Sequence, residues 1–117
     1  MRGAIERGIR HGFVFVRKQP NLLYNAMLHP VIPYAGRGMI WYQGEANAAR
    51  PQEYAQSLPL WVKRLRTGWK RDDFHFLCVM LPGYGKDDGS PTAKSWARFR
   101  EVQLRIRELS RAGVVNT

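Results

Sequence analysis

Residues 74–83 read FHFLCVMLPG, and this stretch decides the fold. Its first eight residues are mostly apolar and do not alternate with polar ones, and Pro82 and Gly83 end the run. That pattern is typical of a strand buried in a parallel sheet. Residues 38–44 read GMIWYQG, a shorter apolar and aromatic run between two glycines. We therefore expect two interior strands in a sheet that is covered on both faces.

The segment between the two runs has the periodicity of a helix. Every third or fourth residue is apolar, which predicts a helix over residues 51–69 with one buried face. This stripe consists of Tyr54, Leu58, Trp61, Leu65 and Trp69. Pro59 lies inside the pattern and lacks a backbone donor, so we expect a kink there or two abutting helical pieces.

Further helices are predicted on either side of the two strands. One begins near Thr92, ends at Gly113 as its C′ residue, and buries an apolar stripe. Its buried residues are expected to be Trp96, Phe99, either Val102 or Gln103, Ile106 and Leu109. Another covers residues 22–28, with Asn21 as a possible cap and Pro30 as its end. Residues 13–16 form a further candidate strand.

The order strand, helix, strand, helix with apolar strands predicts an α/β fold with a parallel sheet. Sheets commonly contain about five or six strands, so two or three strands make an incomplete sheet. The 117 residues fit one small domain or part of a larger one, and no linker or internal repeat marks a boundary.

Composition excludes several classes of protein. The net charge of +10 is accompanied by 44% hydrophobic residues and four Trp, too many for a disordered basic tail. No apolar run approaches the roughly 20 residues of a membrane span, and no signal peptide is predicted, so the compartment stays open. Cys78 is the single cysteine, and no Cys/His cluster has the spacing of a zinc site. We expect no metal and no cofactor.

The best candidate for chemistry follows the first strand. In open α/β sheets, ligands bind beyond the carboxyl ends of the strands. There, the amide of Gln43 can donate to a developing oxyanion, Gly44 permits close approach to the backbone, and Glu45 can hold an imidazole. By residue type alone, a polar turn that leaves a buried strand explains the same three residues.

Two blocks of sequence resemble a known family. LYNAMLHP at residues 23–30 and RGMIWYQGEAN at residues 37–47 resemble the central block of the sialate O-acetylesterases, members of the SGNH serine esterases. The similarity extends over residues 22–117, which leaves residues 1–21 as an N-terminal extension of uncertain status. The resemblance implies a three-layer αβα, flavodoxin-like SGNH hydrolase domain, of which residues 22–117 form a part.

The resemblance also implies an activity and a set of roles. Members of the family remove O-acetyl groups from sialic acid or related carbohydrates through a Ser/His/Asp-type site without a metal. In that scheme Gln43 supplies an oxyanion donor, Gly44 allows the close approach, and Glu45 supports the site near the catalytic histidine. Asn47 and His29 match the family block and become candidates for substrate binding.

The departures from the family pattern concern the catalytic residues themselves. The family's Gly-Gln-Ser-Asn and Asp-x-x-His motifs are not present in context, and none of the four serines follows a strand in a Gly-rich turn. Asp72 and His75 spell Asp-x-x-His, but they lead into a strand and so belong at the amino end of the sheet. Met80 and Gly83 stand where many relatives carry Gln and Asn. We expect this chain alone to be inactive.

Two alternatives stay open. The chain could be a non-catalytic basic module that binds nucleic acid or an anionic glycan through Lys63, Arg64, Arg98 and Arg105. No recognised nucleic-acid motif supports it, and charged residues opposite an apolar stripe are also the solvated side of an ordinary helix. A non-catalytic remnant that keeps only the fold is the other alternative. The sequence leaves the oligomeric state undetermined.

Overall fold

The structure is a computed structural model that describes residues 21–84 and 91–117. The chain divides into two compact units, Met1–Ala35 and Gly36–Thr117, and each is described by itself. The predicted strand over residues 13–16 and Ser90 lie outside the described residues.

The described part of the first unit is helical. A π-helical turn over Tyr24–Leu28 continues into a 3₁₀ turn over His29–Val31. The predicted end of the helix at Leu28 is confirmed, and Pro30 lies in the first positions of the 3₁₀ turn, where it needs no backbone donor. Asn21 has a φ of 65° and contributes its backbone carbonyl, which accepts from the Asn25 N–H at 2.8 Å.

The second unit is built on a three-stranded parallel sheet. Its strands are β1 (Gly38–Trp41), β2 (His75–Val79) and β3 (Ala112–Val115), in the order β1-β2-β3. Ile40 pairs with Leu77, and Leu77 pairs with Gly113. The parallel α/β fold with an incomplete sheet is thereby confirmed.

Two helices connect the strands and pack on one face of the sheet. They are α1 (Pro51–Trp69) and α2 (Pro91–Leu104), and a 3₁₀ turn over Arg105–Glu108 follows α2. Since both crossovers run in the same direction across the sheet, the handedness rule puts both helices on the same side. Among the described residues, no helix is long and apolar enough to cross a membrane.

Helix α1 has the predicted bounds but not the predicted interruption. It runs without a break through Pro59, so its expected division into two pieces was wrong. The proline costs one hydrogen bond, and the buried face formed by the neighbouring turns offsets that loss. The buried face contains Pro51, Tyr54, Leu58, Val62 and Leu65. Val62 thus takes the core position expected for Trp61, which is half-buried and packs on Trp41 with ring centroids 5.5 Å apart.

The core lies between the helices and one face of the sheet. Phe76 and Cys78 of β2 are fully buried there, and so are Phe99 and Gln103 of α2. The rings of Tyr54 and Phe99 meet at a centroid distance of 4.6 Å, which joins α1 to α2. Gln103, and not the half-buried Val102, is the core residue of the pair left open by the sequence.

The other face of the sheet is exposed, so the expectation of two strands covered on both faces was wrong. Ile40 is 72% exposed, Val115 is 52% exposed and Leu77 is 42% exposed. Leu77 alternates with the buried Phe76 and Cys78, and Ile40 alternates with half-buried residues of β1, as the period of a strand requires. The described residues of this unit therefore supply the sheet and one helical layer.

The second helix ends earlier than its apolar pattern suggested. Gly113 lies inside β3, so its expected role as a helix stop was wrong. The left-handed residue in the turn before β3 is Arg111, with a φ of 52°. A glycine fits this position of β3, because the Cβ of any other residue would lie 3.1 Å from Leu77 Cδ2.

Candidate functional site

The carboxyl ends of all three strands meet at one edge of the sheet, where the candidate residues leave β1. Gly44 turns the chain with a φ of 145°, and a 3₁₀ turn over Glu45–Asn47 follows at once. Residues 80–84 leave β2 at the same edge, and residues 116–117 leave β3 there. The topology thus places the sequence-predicted segment where open α/β sheets bind ligands.

The Gln43 side chain is held by a hydrogen bond from its amide nitrogen, and its amide oxygen lies beside a tyrosine hydroxyl. Its Nε2 donates to Asn47 Oδ1 at 3.2 Å, and its Oε1 lies 3.5 Å from the Tyr54 hydroxyl. The second amide hydrogen of Gln43 has no acceptor among the described residues. The structure therefore brings Gln43 and Asn47 together and leaves one fixed N–H group at the strand exit.

Tyr54 organises this corner although the sequence suggested only a core role for it. Its hydroxyl accepts from Trp41 Nε1 at 3.1 Å and donates to the Gln43 backbone carbonyl at 3.3 Å. The ring is 4% exposed, and burial raises the pKa of Tyr54 to about 12. The hydroxyl therefore keeps its proton, and its role as a donor, throughout the ordinary pH range.

Gln103 joins the exits of two neighbouring strands. Its Oε1 accepts from the Leu81 N–H at 3.0 Å, and its Nε2 lies 3.4 Å from the Gln43 carbonyl as a donor. A fully buried glutamine needs such partners, since an unpaired amide in a core is costly. The segments after β1 and β2 are thus fixed relative to one another through α2.

Gly44 is required by protein packing as well as by its backbone conformation. A Cβ on Gly44 would lie 2.6 Å from Cε1 of Phe99, and the residue itself is buried. Its N–H donates to Glu45 Oε2 at 3.0 Å. In the structure, the ring of Phe99 lies close to the backbone of Gly44. The predicted close approach of a substrate to this glycine stays a prediction.

The candidate residues line two different cavities. Gln43 and Asn47 line a shallow cavity of about 410 Å³ together with Trp41 and Tyr54. Glu45 lines a second cavity of about 430 Å³ with Tyr84 and Trp96. The sequence predicted Gln43, Glu45 and Asn47 at one site. In the structure, the turn at Gly44 separates Gln43 from Glu45, and the two side chains line different cavities.

The two described serines of the helices line these same cavities: Ser57 lines the one with Gln43 and Ser95 the one with Glu45. Ser57 and Ser95 are both within helices, and each donates to a backbone carbonyl, of Tyr54 and Ala48 respectively. His75 is the first residue of β2, which confirms its predicted position at the amino end of the sheet. His29 belongs to the first unit, in the 3₁₀ turn described above. Among the described residues, no three His, Cys, Asp or Glu side chains form a group that could hold a metal ion.

Comparisons with known proteins agree on one family. The family model of carbohydrate esterases described as sialic acid-specific acetylesterases matches residues 13–117. The sialate O-acetylesterase of Rattus norvegicus is 39% identical over 59 residues, which are 50% of this chain and 10% of that protein. The crystal structure of a carbohydrate acetylesterase from Xanthomonas citri matches with a TM-score of 0.71 and 33% identity.

The match to the Xanthomonas citri enzyme covers 85% of this chain and 23% of that enzyme, so the chain spans only a small part of the length of either relative. On the extent of the family match and the shared fold, the chain belongs to the carbohydrate esterase family of sialic acid-specific acetylesterases.

Proposed function

We propose that this chain is the oxyanion-side segment of an esterase that removes O-acetyl groups from sialic acid or related carbohydrates. The observation that carries the proposal is the fixed amide of Gln43 at the carboxyl end of β1. When a nucleophile adds to an acetyl ester, the carbonyl oxygen gains negative charge, and a positioned N–H donor stabilises that charge. Family membership and the position at the sheet edge support this role for Gln43.

The other site residues have supporting roles in this proposal. Asn47 holds the Gln43 amide through the 3.2 Å hydrogen bond and is a positioning residue. Glu45 supports a catalytic histidine, and Gly44 brings the backbone close to the substrate. His29 is a candidate for substrate contact. The nucleophilic serine and the histidine come from the family's Gly-Gln-Ser-Asn and Asp-x-x-His motifs, neither of which is present in context in this chain.

A first experiment assays the chain by itself. With p-nitrophenyl acetate and an O-acetylated sialic acid as substrates, we expect no hydrolysis above the uncatalysed rate. Turnover that disappears on substitution of a residue of this chain, such as Ser57→Ala or Ser95→Ala, would contradict the proposal that nucleophile and base lie outside it.

A second experiment tests Gln43 in an enzyme in which this chain is joined to segments carrying the two missing motifs. Gln43→Ala should lower kcat by about 10²-fold or more, as loss of one oxyanion donor does. Gln56→Ala makes the same chemical change at an exposed position of α1 and should leave kcat unchanged. A Gln43→Ala effect confined to KM would refute the oxyanion role.

The alternative of a basic binding module has no observation that favours it. Lys63, Arg98 and Arg105 are exposed on the outer sides of the helices, as any amphipathic helix would leave them. Salt-dependent retention on heparin, lost on charge reversal at these three positions, would be the result that supports such a module.

A further inference from the structure

The cavity beside Glu45 has the features of a small-molecule site, and apart from Glu45 its lining residues have no role in the proposed catalysis. It measures about 430 Å³, within the range of about 300–1,000 Å³ typical of ligand sites. Its lining is mainly apolar and aromatic, with few polar groups. The described lining residues are Glu45, Ala48, Ala49, Tyr84, Pro91, Ser95 and Trp96.

Two aromatic rings form one wall of this cavity. Tyr84 and Trp96 lie with ring centroids 5.1 Å apart at an interplanar angle of 40°. Trp96 Nε1 donates to the Pro82 carbonyl at 2.8 Å, so the indole is fixed against the segment that leaves β2. Tyr84 is 69% exposed, so the face of its ring that does not meet Trp96 is accessible to a ligand.

Other lining residues are held by hydrogen bonds as well, and one of them is charged. The Ser95 hydroxyl donates to the Ala48 carbonyl, which ties α2 to the segment after the Glu45–Asn47 turn. Glu45 brings the one carboxylate of the described lining, and none of those residues is basic. A carboxylate accepts hydrogen bonds from hydroxyl groups and repels an anionic ligand.

We propose that this cavity binds a neutral pyranose ring of a carbohydrate, stacked on Tyr84 and Trp96, with its hydroxyl groups donating to Glu45. The C–H face of a pyranose is apolar and fits an aromatic wall, while its edge carries the donors that a carboxylate accepts. The ring is therefore a neutral sugar of the glycan, distinct from the acidic sugar that bears the acetyl group. This inference rests on the proposed function only in taking the ligand to be a carbohydrate.

The test uses the ¹⁵N-labelled chain and the indole N–H signals of its four Trp residues. Titration with methyl β-galactopyranoside should shift the Trp96 signal with a millimolar Kd and leave Trp69, which stacks on Phe74, unchanged. Trp96→Phe assigns the signal by removing it. The readout is binding alone, so a failure of the Gln43 experiment and a failure here are separate results.

Two variants and one competing sugar decide the outcome. Tyr84→Ala should weaken binding by about fivefold to tenfold, while Tyr42→Ala, another exposed tyrosine after a strand but outside the cavity, should not. N-acetylneuraminate should bind more weakly than the galactoside, and Glu45→Gln should reduce that difference. Absence of a Trp96 shift, equal shifts of all four indoles, or tighter binding of N-acetylneuraminate to the unmodified chain would overturn the proposal.

Discussion

Gly44 combines two constraints that no other residue type satisfies at this position. Its φ of 145° lies in the region that side chains rarely adopt, and Phe99 occupies the space where a Cβ would stand. The fold therefore requires glycine at position 44 for a reason that is independent of any substrate. The same turn is what separates Gln43 from Glu45.

Replacement of Gly44 by alanine should destabilise the fold by about 2–6 kcal/mol, the sum of about 1–3 kcal/mol each for backbone strain and overpacking. Urea unfolding measures the change. Gly83→Ala is the matched control, because its nearest neighbour would be 4.0 Å away, and should cost about 0.5 kcal/mol or less. If Phe99 causes the overpacking, the Gly44→Ala penalty should fall by about 1 kcal/mol in a Phe99→Leu background. Equal penalties in the two backgrounds would remove Phe99 from the explanation.

Gln103 is a second residue whose effect reaches beyond its own position. Gln103→Met keeps the volume but leaves the Leu81 N–H without this partner, while the Gln43 carbonyl keeps the Tyr54 hydroxyl as a donor. At about 1–3 kcal/mol for one unsatisfied buried group, we expect a loss of about 1–3 kcal/mol of unfolding free energy. Gln56→Met, at an exposed position of α1, should change stability by about 0.5 kcal/mol or less. Equal stabilities of the two variants would show that Gln103 does not bridge the strand exits.

At the scale of elements, α1 shows tertiary packing overriding local preference. A proline in a helix interior costs about 3 kcal/mol relative to alanine, yet α1 continues through Pro59 for ten further residues to Trp69. Its buried face packs against the sheet and α2, and that packing offsets the missing hydrogen bond. The helix is therefore stabilised by its place in the fold and not by its own sequence alone.

Pro59→Ala should raise stability, because the side chain is exposed and alanine restores the backbone donor. We expect the free energy of unfolding to rise by about 1–3 kcal/mol. In a domain of this size, each kcal/mol raises Tm by roughly 4–8 °C. Pro91→Ala replaces an equally exposed proline at the first position of α2, where proline is favourable, and should not raise Tm. A Tm that falls on Pro59→Ala would mean that the helix depends on the proline.

At the scale of the whole molecule, two buried acids link stability to alkaline pH. Burial raises the pKa of Tyr54 from 10.0 to about 12 and the pKa of Cys78 from 9.0 to about 11. Above their ordinary pKa values the unfolded chain loses these protons while the folded chain keeps them. Stability is therefore complete below about pH 9 and falls as the pH rises toward about 12.

Urea unfolding between about pH 8 and pH 11 should show this fall, which at about pH 11 amounts to about 1 kcal/mol for Tyr54 and about 2 kcal/mol for Cys78. Cys78→Ala should remove the fall between about pH 9 and pH 10, and above about pH 10 Cys78→Ala and Tyr54→Phe should each remove a part of the slope. Each variant's own stability at about pH 7 is its baseline. An unfolding free energy that stays constant over this range, or a Tyr54→Phe slope equal to that of the wild type, would contradict the linkage.

The sequence determined the elements whose patterns are local. The apolar runs of β1 and β2 and the 3.6-residue period of α1 follow from side chains close together in the chain. So do the parallel α/β class and the family, which the motif around Gln43 carries. The strand β3 was missed because Gly113 between apolar residues is as typical of a helix end as of a closely packed strand.

Tertiary structure decided what depends on residues far apart in sequence. Which sheet face is open, why Gly44 must be glycine, and how Gln103 joins two strand exits are set by contacts across up to 60 positions, as between Gln103 and Gln43. The division of Gln43 and Glu45 between two cavities belongs to the same class. A pattern in the sequence shows which residues of one helix or strand share a face. Which residues of other elements contact that face is decided only when the elements pack together.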